Sequence, residues 1–503
     1  MTADARTSYD EVPYKSHPYE LSHPDWLATV GALFGMDPPR VDRCRVLELG
    51  CASGGNIVPM AAALPGSAFL GLDLSSRQIA EGNAVLARTG LANVELRHAS
   101  ILDVDDGYGQ FDYVICYGVF SWVPRAVQDK ILSICDRNLT PNGIAYVNYN
   151  AHPGGYMMGM LRDMMMFDSR RSRVPDDRVR HARGLLELLA TWMPDRATHG
   201  PFLKDVASKM REMPDSFIFH EFLEEVNDRF YFLDFIARAE AADQQFLGEA
   251  HVAGMFAHQS APDDVRAALA EVAPTLKLRE QYIDFFRNRT FRQTLLCHKD
   301  IALDHHLSAE KVMQFCFGGR FVPTTEPVPI HTEEPATFRG RGQTKVTTSI
   351  PIVKAACLCL NEAWPRVIPF RELAARARER SEGAANAEEA DVVLADKLWN
   401  YFAHDVVEMR LMPDRFRLEP SERPRASAFA RAQAKEELDV TNLRHRQVTL
   451  DGLSRRILAE LDGTTDRTAL VAKLEDTDAE TGTLEARVEA ALRGIGSAAL
   501  LLD

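Results

Sequence analysis

At 503 residues the chain is long enough for about three domains, and its 46% hydrophobic and 26% charged residues are typical of a globular protein. The formal net charge of −14 argues against broad electrostatic binding to nucleic acid. No apolar run approaches the ~20 residues that a membrane span requires. We therefore expect neither a nucleic-acid partner nor a membrane span.

The cysteines indicate the redox compartment. There are eight, and none lies in a CxxC pair, so zinc and redox motifs are not expected and no metal site is predicted. Several sit in apolar patterns, which favours reduced thiols in the core of a cytoplasmic protein. The first residues, Met1–Arg6, contain no apolar signal region.

An aromatic and proline-punctuated segment, Tyr9–Tyr19, precedes the first predicted helix, Trp26–Phe34. The segment Val46–Gly55 then reads as a buried strand that runs into a turn of small residues, and Asn56–Leu64 continues as a helix. Glycines in such a turn allow a sharp bend and the close approach of a ligand. The helix that follows presents free N–H groups at its N-terminus. This is the pattern of a nucleotide-type binding turn.

Two acids indicate which ligand the turn binds. Glu48 ends the first strand, where a carboxylate would repel a pyrophosphate but favour the sulfonium and ammonium of S-adenosylmethionine (SAM). Asp73 ends the next strand, within Phe69–Ser75, where it can accept hydrogen bonds from both ribose hydroxyls. An ordinary strand–turn–helix is the competing interpretation, but both acids and the turn fall in register.

Glu48, the glycine turn and Asp73 resemble the first two motifs of class I SAM-dependent methyltransferases. In that family an N-terminal segment folds over the SAM pocket, which implies a role for Tyr14, although packing on the sheet edge is the alternative. Many members carry an acid at the place of Ser100. The predicted cofactor-binding residues are Tyr14, Glu48, Gly50, Ala52, Gly54, Asn56, Asp73, Leu74, Ser100, Ile101 and Tyr117.

The acceptor side is predicted from the next two strands, Phe111–Cys116 and Ile144–Tyr149. Ligands sit at the carboxyl ends of the strands in such folds, and both exits are aromatic or polar. Aromatic faces suit a sulfonium and an amine acceptor, and a phenol or carboxylate acceptor would instead require a general base. The predicted catalytic residues are Tyr117, Tyr149, Asn150 and His152.

Three stretches, Tyr117–Pro124, Tyr149–Gly154 and Arg287–Cys297, resemble one bacterial subfamily. Its members carry a class I methyltransferase domain followed by a methyltransferase regulatory domain, and they include protein-lysine methyltransferases that modify outer-membrane proteins. The resemblance implies an α/β Rossmann-like methyltransferase domain, a mainly helical middle region and small winged-helix-like C-terminal domains.

Four domains are predicted: a SAM-binding methyltransferase domain over 1–165, a helical regulatory or dimerisation domain over 166–318, a winged-helix-like domain over 319–420 and a small C-terminal helical domain over 421–503. Within the second, Gln281–Leu296 is predicted as one helix. This helix contains Arg287, Arg289 and Arg292, which could form a phosphate-binding patch. Acidic residues nearby favour the alternative, a solvent-exposed face with salt bridges. The helix after residue 157 is rich in methionine and suits a substrate-facing or dimer-facing surface or an ordinary core helix.

The function predicted from these features is SAM-dependent methyl transfer by in-line displacement to a protein lysine amine, with a possible homodimer. The first alternative is a small-molecule or peptide O- or N-methyltransferase whose C-terminal domains serve as lid and dimer parts. The second is a non-catalytic SAM-binding scaffold.

Overall fold

The computed structural model describes residues 7–382, 386–474 and 483–502. The stretch Met1–Arg6, discussed above for its lack of a signal region, lies outside them. No helix within the described residues has the length and apolar character to cross a bilayer.

The first 300 residues contain one mixed β-sheet. Its strands are β1 (Arg45–Leu49), β2 (Ala68–Asp73), β3 (Val94–His98), β4 (Phe111–Cys116), β5 (Leu139–Ala151), β6 (Arg229–Phe230), β7 (Gln244–Glu249) and β8 (Phe291–His298). Their order is β3-β2-β1-β4-β5-β8-β7, with β6 beside the end of β5. The strands β1 to β5 pair in parallel, whereas β8 is antiparallel to both β5 and β7. Ligand sites in parallel sheets lie at the carboxyl ends, which places the candidate site at that edge.

Helices pack around this sheet and alternate with its parallel strands. They are α1 (Ser8–Glu11), α2 (Pro24–Leu33), α3 (Ile57–Ala63), α4 (Ser76–Thr89) and α5 (Arg125–Arg137). The helix α4 begins where the Ser75 hydroxyl accepts a hydrogen bond from Gln78 N, and it ends at Gly90, whose φ of +66° suits glycine. The alternation confirms the predicted Rossmann-like fold.

The middle region contributes both helices and strands. Its helices are α6 (Gly155–Ser169), α7 (Pro175–Trp192), α8 (Gly200–Met210), α9 (Asp215–Leu223), α10 (Phe232–Ala241), α11 (Asp263–Val272) and α12 (Leu276–Arg287). Helices α6 to α9 form a bundle with an apolar core of its own. The strands β7 and β8 belong to the central sheet, so the sheet extends across the predicted boundary at residue 165.

The predicted single helix Gln281–Leu296 is wrong. The helix α12 ends because Asn288 adopts a left-handed conformation with φ +46°, a common helix terminus for asparagine. The chain then extends as β8, where buried Leu295, Leu296 and Cys297 face both covered sides of the sheet.

The third region follows β8. It comprises α13 (Ala309–Val312), β9 (Cys316–Gly318), β10 (Val322–Pro323), β11 (Ala336–Arg339), β12 (Lys345–Thr348), α14 (Pro351–Ala363), β13 (Ile368–Pro369), α15 (Phe370–Arg380), α16 (Ala387–Ala403) and β14 (Glu408–Arg410). The helices α14 to α16 share the apolar core of the central sheet.

The last unit has a separate core. It comprises β15 (Phe416–Arg417), α17 (Ala428–Glu436), β16 (Asp439–Thr441), β17 (Gln447–Thr449), α18 (Gly452–Glu460), α19 (Arg467–Lys473), α20 (Leu484–Ser497) and β18 (Leu501–Leu502). We call residues 416–502 the C-terminal unit. Phe429 of α17 is an exception, because it is buried in the core of the central sheet and thereby joins the unit to the rest of the chain.

Candidate active site

Asp73 lies at the carboxyl end of β2, beside the turn that follows β1. Its Oδ2 accepts a hydrogen bond from Ala52 N, and its Oδ1 accepts one from Ser75 N, both at 2.8 Å. Burial raises the pKa of Asp73, and the two backbone donors oppose that shift. The carboxylate is therefore held in one orientation and keeps lone pairs for further donors.

Glu48 lies at the end of β1 and is buried. Its Oε1 accepts a 2.6 Å hydrogen bond from the Asn56 side-chain amide, whereas its Oε2 is buried with no hydrogen-bond partner among the described residues. Burial raises its pKa to about 7. Within the described ranges, neither Glu48 nor Asp73 forms an ion pair with lysine or arginine. An orphaned buried oxygen and an unpaired negative charge fit a cationic ligand.

The glycine turn is shaped for close approach. Gly50 has φ +76°, and a Cβ there would lie 2.3 Å from Val119 Cγ2; Gly54 has φ +82°. A Cβ at Gly55 would lie 2.4 Å from the backbone oxygen of Ser16. Glycine is therefore required both by the local conformation and by the segment that packs on the turn.

The N-terminal segment lies across this turn rather than along the sheet edge. The Ser16 hydroxyl accepts a hydrogen bond from Gly55 N at 2.6 Å, and the Tyr19 N–H donates to Asn56 Oδ1 at 2.8 Å. The Tyr14 carbonyl accepts one from the Gln78 amide at 2.7 Å. The segment thus covers the cofactor side with residues near 14–19, as the resemblance implied.

Tyr117 follows β4 and stacks on Tyr19, with ring centroids 4.5 Å apart and an angle of 15°. The ring of Tyr146 lies 6.3 and 6.4 Å from these two rings. Burial raises the pKa of Tyr117, so it stays a neutral phenol. The next residue, Gly118, donates its N–H to Asn148 Oδ1 at 2.7 Å, which fixes the turn. An aromatic wall therefore stands on the Glu48 side of the site.

The other predicted cofactor residues lie in the adjoining loops. Ser100 is buried, and its hydroxyl accepts a hydrogen bond from Leu102 N at 3.2 Å. Ile101 begins a short 3-10 turn, Ile101–Asp103. The Leu74 carbonyl contacts His98 Nε2 at 3.0 Å. Their contacts with the cofactor stay predictions.

The placement of Tyr149 corrects its predicted catalytic role. Its side chain is 1% exposed and stacks on Phe235 at 4.1 Å, and its hydroxyl pairs with the Thr294 hydroxyl at 3.2 Å. Successive strand residues point to opposite faces, so Asn148 reaches the Gly118 turn while Tyr149 points away from it. Tyr149 is therefore a packing residue.

Asn150 and His152 lie where β5 meets β6. The Asn150 side chain donates to Asn227 Oδ1 at 3.0 Å. The His152 ring stacks on Tyr156 at 4.0 Å, and its buried Nδ1 has no hydrogen-bond partner among the described residues. Burial, with Arg229 nearby, lowers the pKa of His152. A neutral imidazole and an amide thus line this lip.

Glu221, which lies in α9, is not among the site residues predicted from the sequence. Burial raises its pKa to about 7, opposed by Arg229 and Arg162. Burial is the main cause of the raised pKa of Tyr9 and of Tyr14, and the negative charge of Glu221 adds to both shifts. The carboxyl group therefore lies near the aromatic N-terminal segment. The sequence shows an aromatic run, Phe217–Phe222, around this residue, and such a run does not distinguish a site acid from a surface acid.

Among the residues that the structure describes, no three histidine, cysteine or acidic side chains are grouped as metal ligands are. The orphaned Glu48 oxygen, the fixed Asp73 carboxylate and the glycine cradle fit a SAM molecule.

The comparisons with known proteins agree with this site. Residues 47–145 match the family described as "Methyltransferase domain", and residues 214–298 match "Predicted methyltransferase regulatory domain". Residues 422–491 match "PKMT, C-terminal winged helix domain". The regulatory match lies within the second predicted domain. The winged-helix match confirms that such a domain is present, but it falls on residues 422–491, where a small helical domain was predicted, and not on 319–420.

Two relatives extend over most of the chain. The structure of PKMT2 from Rickettsia typhi in complex with AdoHcy is 30% identical, covers 98% of this chain and 100% of that chain, and superposes with a TM-score of 0.87. The uncharacterized Rickettsia prowazekii protein RP789 is 34% identical over 92% of this chain and 84% of its own length.

The fold and the site define a class I SAM-dependent methyltransferase, an enzyme with SAM as its cofactor. Within that class, the chain belongs to the PKMT family. It contains a match to the regulatory domain, followed by a match to the PKMT winged-helix domain.

Proposed function

We propose that the methyl acceptor is the side-chain amine of a lysine in a protein. The observation that carries this proposal is the stacked aromatic pair of Tyr117 and Tyr19 on the Glu48 side of the site, with the half-buried Glu221 near Tyr14. The relative from Rickettsia typhi is named a PKMT, which supports the same acceptor. The net charge of −14 suits a cationic side chain.

Glu48 and Asp73 would hold the cofactor, the former through its charge and the latter through its fixed lone pairs. When bound, SAM supplies a methyl group on an already activated sulfonium. The protein therefore has to align the acceptor and exclude water.

The acceptor amine needs a free lone pair, and its ordinary pKa is about 10.4. Burial against aromatic rings lowers that pKa. In the proposed step the Lys ammonium transfers one proton to the Glu221 carboxylate, which leaves a neutral amine and a neutral carboxylic acid. The Asn150 amide and the Tyr117 face orient the amine; Asn150 reaches this region through Asn227, whose side chain donates to the Glu221 carbonyl.

The test uses labelled SAM, the purified full chain and a lysate of its own source, with protein and small-molecule fractions separated. We expect label in a protein band, lost with Asp73→Ala and strongly reduced with Glu221→Gln, and lysine methylation by mass spectrometry. Label only in the small-molecule fraction would overturn the proposal and favour the alternative, a small-molecule methyltransferase.

We also propose that two copies pair through α6 and α7. Several large apolar side chains on these helices are exposed: Phe167 is 72% exposed, Leu188 63% and Trp192 82%. Such a patch is typical of an interface. Light scattering should give a dimer mass for the wild type and a smaller mass for a Trp192→Glu, Leu188→Glu variant; a monomeric wild type would contradict the proposal.

We further propose a cytoplasmic location and no nucleic-acid partner. All eight cysteines are buried free thiols, which suits a reducing compartment, and the net charge opposes nucleic acid. Cell fractionation with an antibody to the chain would test the location.

A further inference from the structure

A tight turn of the C-terminal unit enters the cofactor side of the active site. It runs from Asn442 to Arg446, between β16 and β17, and Asn442 Oδ1 accepts hydrogen bonds from Arg444 N and Arg446 N at 3.0 and 2.9 Å. The Leu443 N–H donates to the Ala499 carbonyl at 2.9 Å, which ties the turn to its own unit. At its tip, His445 adopts a left-handed conformation with φ +56°.

His445 contacts a residue of the cofactor site directly. Its Nε2 lies 2.8 Å from Asn56 Oδ1, and the Asn56 amide nitrogen donates to Glu48 Oε1 at 2.6 Å. Both His445 and Asn56 are 3% exposed. A chain of two hydrogen bonds therefore joins the C-terminal unit to the carboxylate at the end of β1.

The donors around Asn56 determine which way its amide faces. Oδ1 lies within hydrogen-bond distance of His445 Nε2, the Tyr19 N–H at 2.8 Å and, more distantly, the Ser22 hydroxyl. A backbone N–H can only donate, so this end of the amide is the oxygen, and the NH₂ faces Glu48. Burial keeps the pKa of His445 well below its usual range, so its ring is neutral. Because Asn56 Oδ1 can only accept a hydrogen bond, the proton of the neutral ring lies on Nε2.

We propose that His445 is a positioning residue for the cofactor site: through Asn56 it fixes the Glu48 carboxylate, so that the C-terminal unit completes the site and sets its affinity for the ammonium end of the cofactor. None of the three family matches assigns the C-terminal unit a part in cofactor binding. The proposal is independent of the lysine acceptor, because it concerns binding alone.

Other contacts hold the turn in place without His445. Arg446 donates to both Glu20 oxygens at 2.7 Å and to Glu408 Oε1 at 2.6 Å, and Arg444 pairs with Glu408 and the Pro365 carbonyl. These bonds are largely shielded from water. A substitution at His445 is therefore expected to leave the C-terminal unit docked.

The test compares two amides at position 445 in the full chain, with S-adenosylhomocysteine binding measured by calorimetry. The Asn nitrogen mimics Nδ1 and cannot reach Asn56, whereas the Gln nitrogen reproduces the place of Nε2; asparagine also tolerates the left-handed backbone. We expect His445→Asn to weaken binding about five- to tenfold, the loss of one hydrogen bond, and His445→Gln to stay within about twofold of the wild type.

A double variant separates positioning from general damage. If His445 acts through Asn56, His445→Asn should weaken binding in the wild type but not further in an Asn56→Ala background. Wild-type affinity in His445→Asn, equal losses for Asn and Gln, or additive losses in the double variant would each overturn the proposal. Thermal unfolding without ligand checks the fold, and His445→Phe replaces His445→Asn should that variant not fold. Failure of the acceptor proposal would leave these binding results unchanged.

Discussion

Buried carboxylates occupy two places in the same sheet, and their surroundings are opposite. At the carboxyl ends of β1 and β2, Glu48 and Asp73 are held by amide N–H groups, and the described residues give them no lysine or arginine. At the antiparallel side, three buried acids surround the fully buried Arg292, with Arg289 beside them. These acids are Glu249, Glu280 and Asp284.

This difference distinguishes carboxylates that stabilise the fold from carboxylates that are available to a ligand. A buried carboxylate is costly unless a cation or hydrogen bonds compensate it. The Arg292 cluster supplies its own cations, so it stabilises the place where β8 joins β5 and β7. The Glu48 side keeps its negative charge for a ligand, and the unfavourable burial appears as a pKa raised to about 7.

The largest expected effect breaks the compensated side. Arg292→Met removes a guanidinium that donates to Glu249 Oε1 at 2.7 Å and to Asp284 Oδ2 at 2.8 Å, and leaves the acids facing each other. We expect the free energy of unfolding to fall by about 3–5 kcal/mol, measured by urea denaturation. The control is Arg211→Met, whose pair with Glu187 is exposed and should change stability by less than about 1 kcal/mol. Equal shifts in the two variants would contradict this reading.

The second effect concerns Glu48, whose charge no lysine or arginine of the described residues compensates, and it lowers ligand binding rather than stability. Glu48→Gln keeps an acceptor for Asn56 but removes the charge, so we expect SAM binding to weaken by about 1.5–3 kcal/mol, or roughly 10- to 100-fold. Because the pKa of Glu48 is higher in the folded than in the unfolded protein, its protonated form contributes to the stability of the wild type. This contribution is fully present below the unfolded-state pKa near 4.5 and is lost as the pH rises through about 7. Without ligand the variant should therefore be at least as stable as the wild type at pH 8, by thermal unfolding. A large loss of stability would show that Glu48 is structural.

The third effect is the pH dependence of that binding. Because the pKa of Glu48 in the cofactor-free protein is about 7, the carboxyl is increasingly protonated below that pH and loses its attraction for an ammonium. Calorimetry with S-adenosylhomocysteine should show affinity falling as the pH drops from 8 to 5.5, with a limiting slope of about tenfold per pH unit. The Glu48→Gln variant is the control and should show a much flatter profile. An unchanged wild-type affinity between pH 8 and 6 would contradict the assignment.

The two sides were not equally predictable from the sequence. Glu48, the glycine turn and Asp73 lie within one strand–turn–helix–strand unit, so their spacing alone predicts that they meet. The same local reasoning predicts the parallel strands and the pocket position of Tyr117.

The Arg292 cluster depends on contacts between distant segments. The sequence places Arg292 on a solvated helix, whereas Asn288 ends that helix, and β8 carries Arg292 into the sheet beside Glu249 of β7. The salt bridges were predicted correctly and the solvent exposure was not. For the same reason Glu221 and His445, which approach the site from other units, have no local signal.

The smallest expected effect sharpens the comparison from within the cluster. Three acids face two arginines there, and burial raises the pKa of Glu280 to about 7. Burial also acts to raise the pKa of Glu249, but Arg292 and Arg289 hold it below its usual value. Glu280 is thus the acid least compensated, and Gln reproduces its protonated form. We expect Glu280→Gln to change the free energy of unfolding by no more than about 1 kcal/mol at pH 6.

By the same linkage, the stabilisation that the wild type gains from protonated Glu280 is fully present below pH 4.5 and lost as the pH rises through about 7. In urea denaturation, the free energy of unfolding of the variant should therefore rise relative to that of the wild type between pH 6 and pH 8. Glu249→Gln is the matched control: it weakens bonds to Arg292, Gln293 N and the Thr294 hydroxyl and should destabilise at both pH values. If Glu280→Gln were as destabilising as Glu249→Gln, the arginines would compensate all three acids equally. The difference between this cluster and Glu48 would then depend on where the arginines lie and not on how many there are.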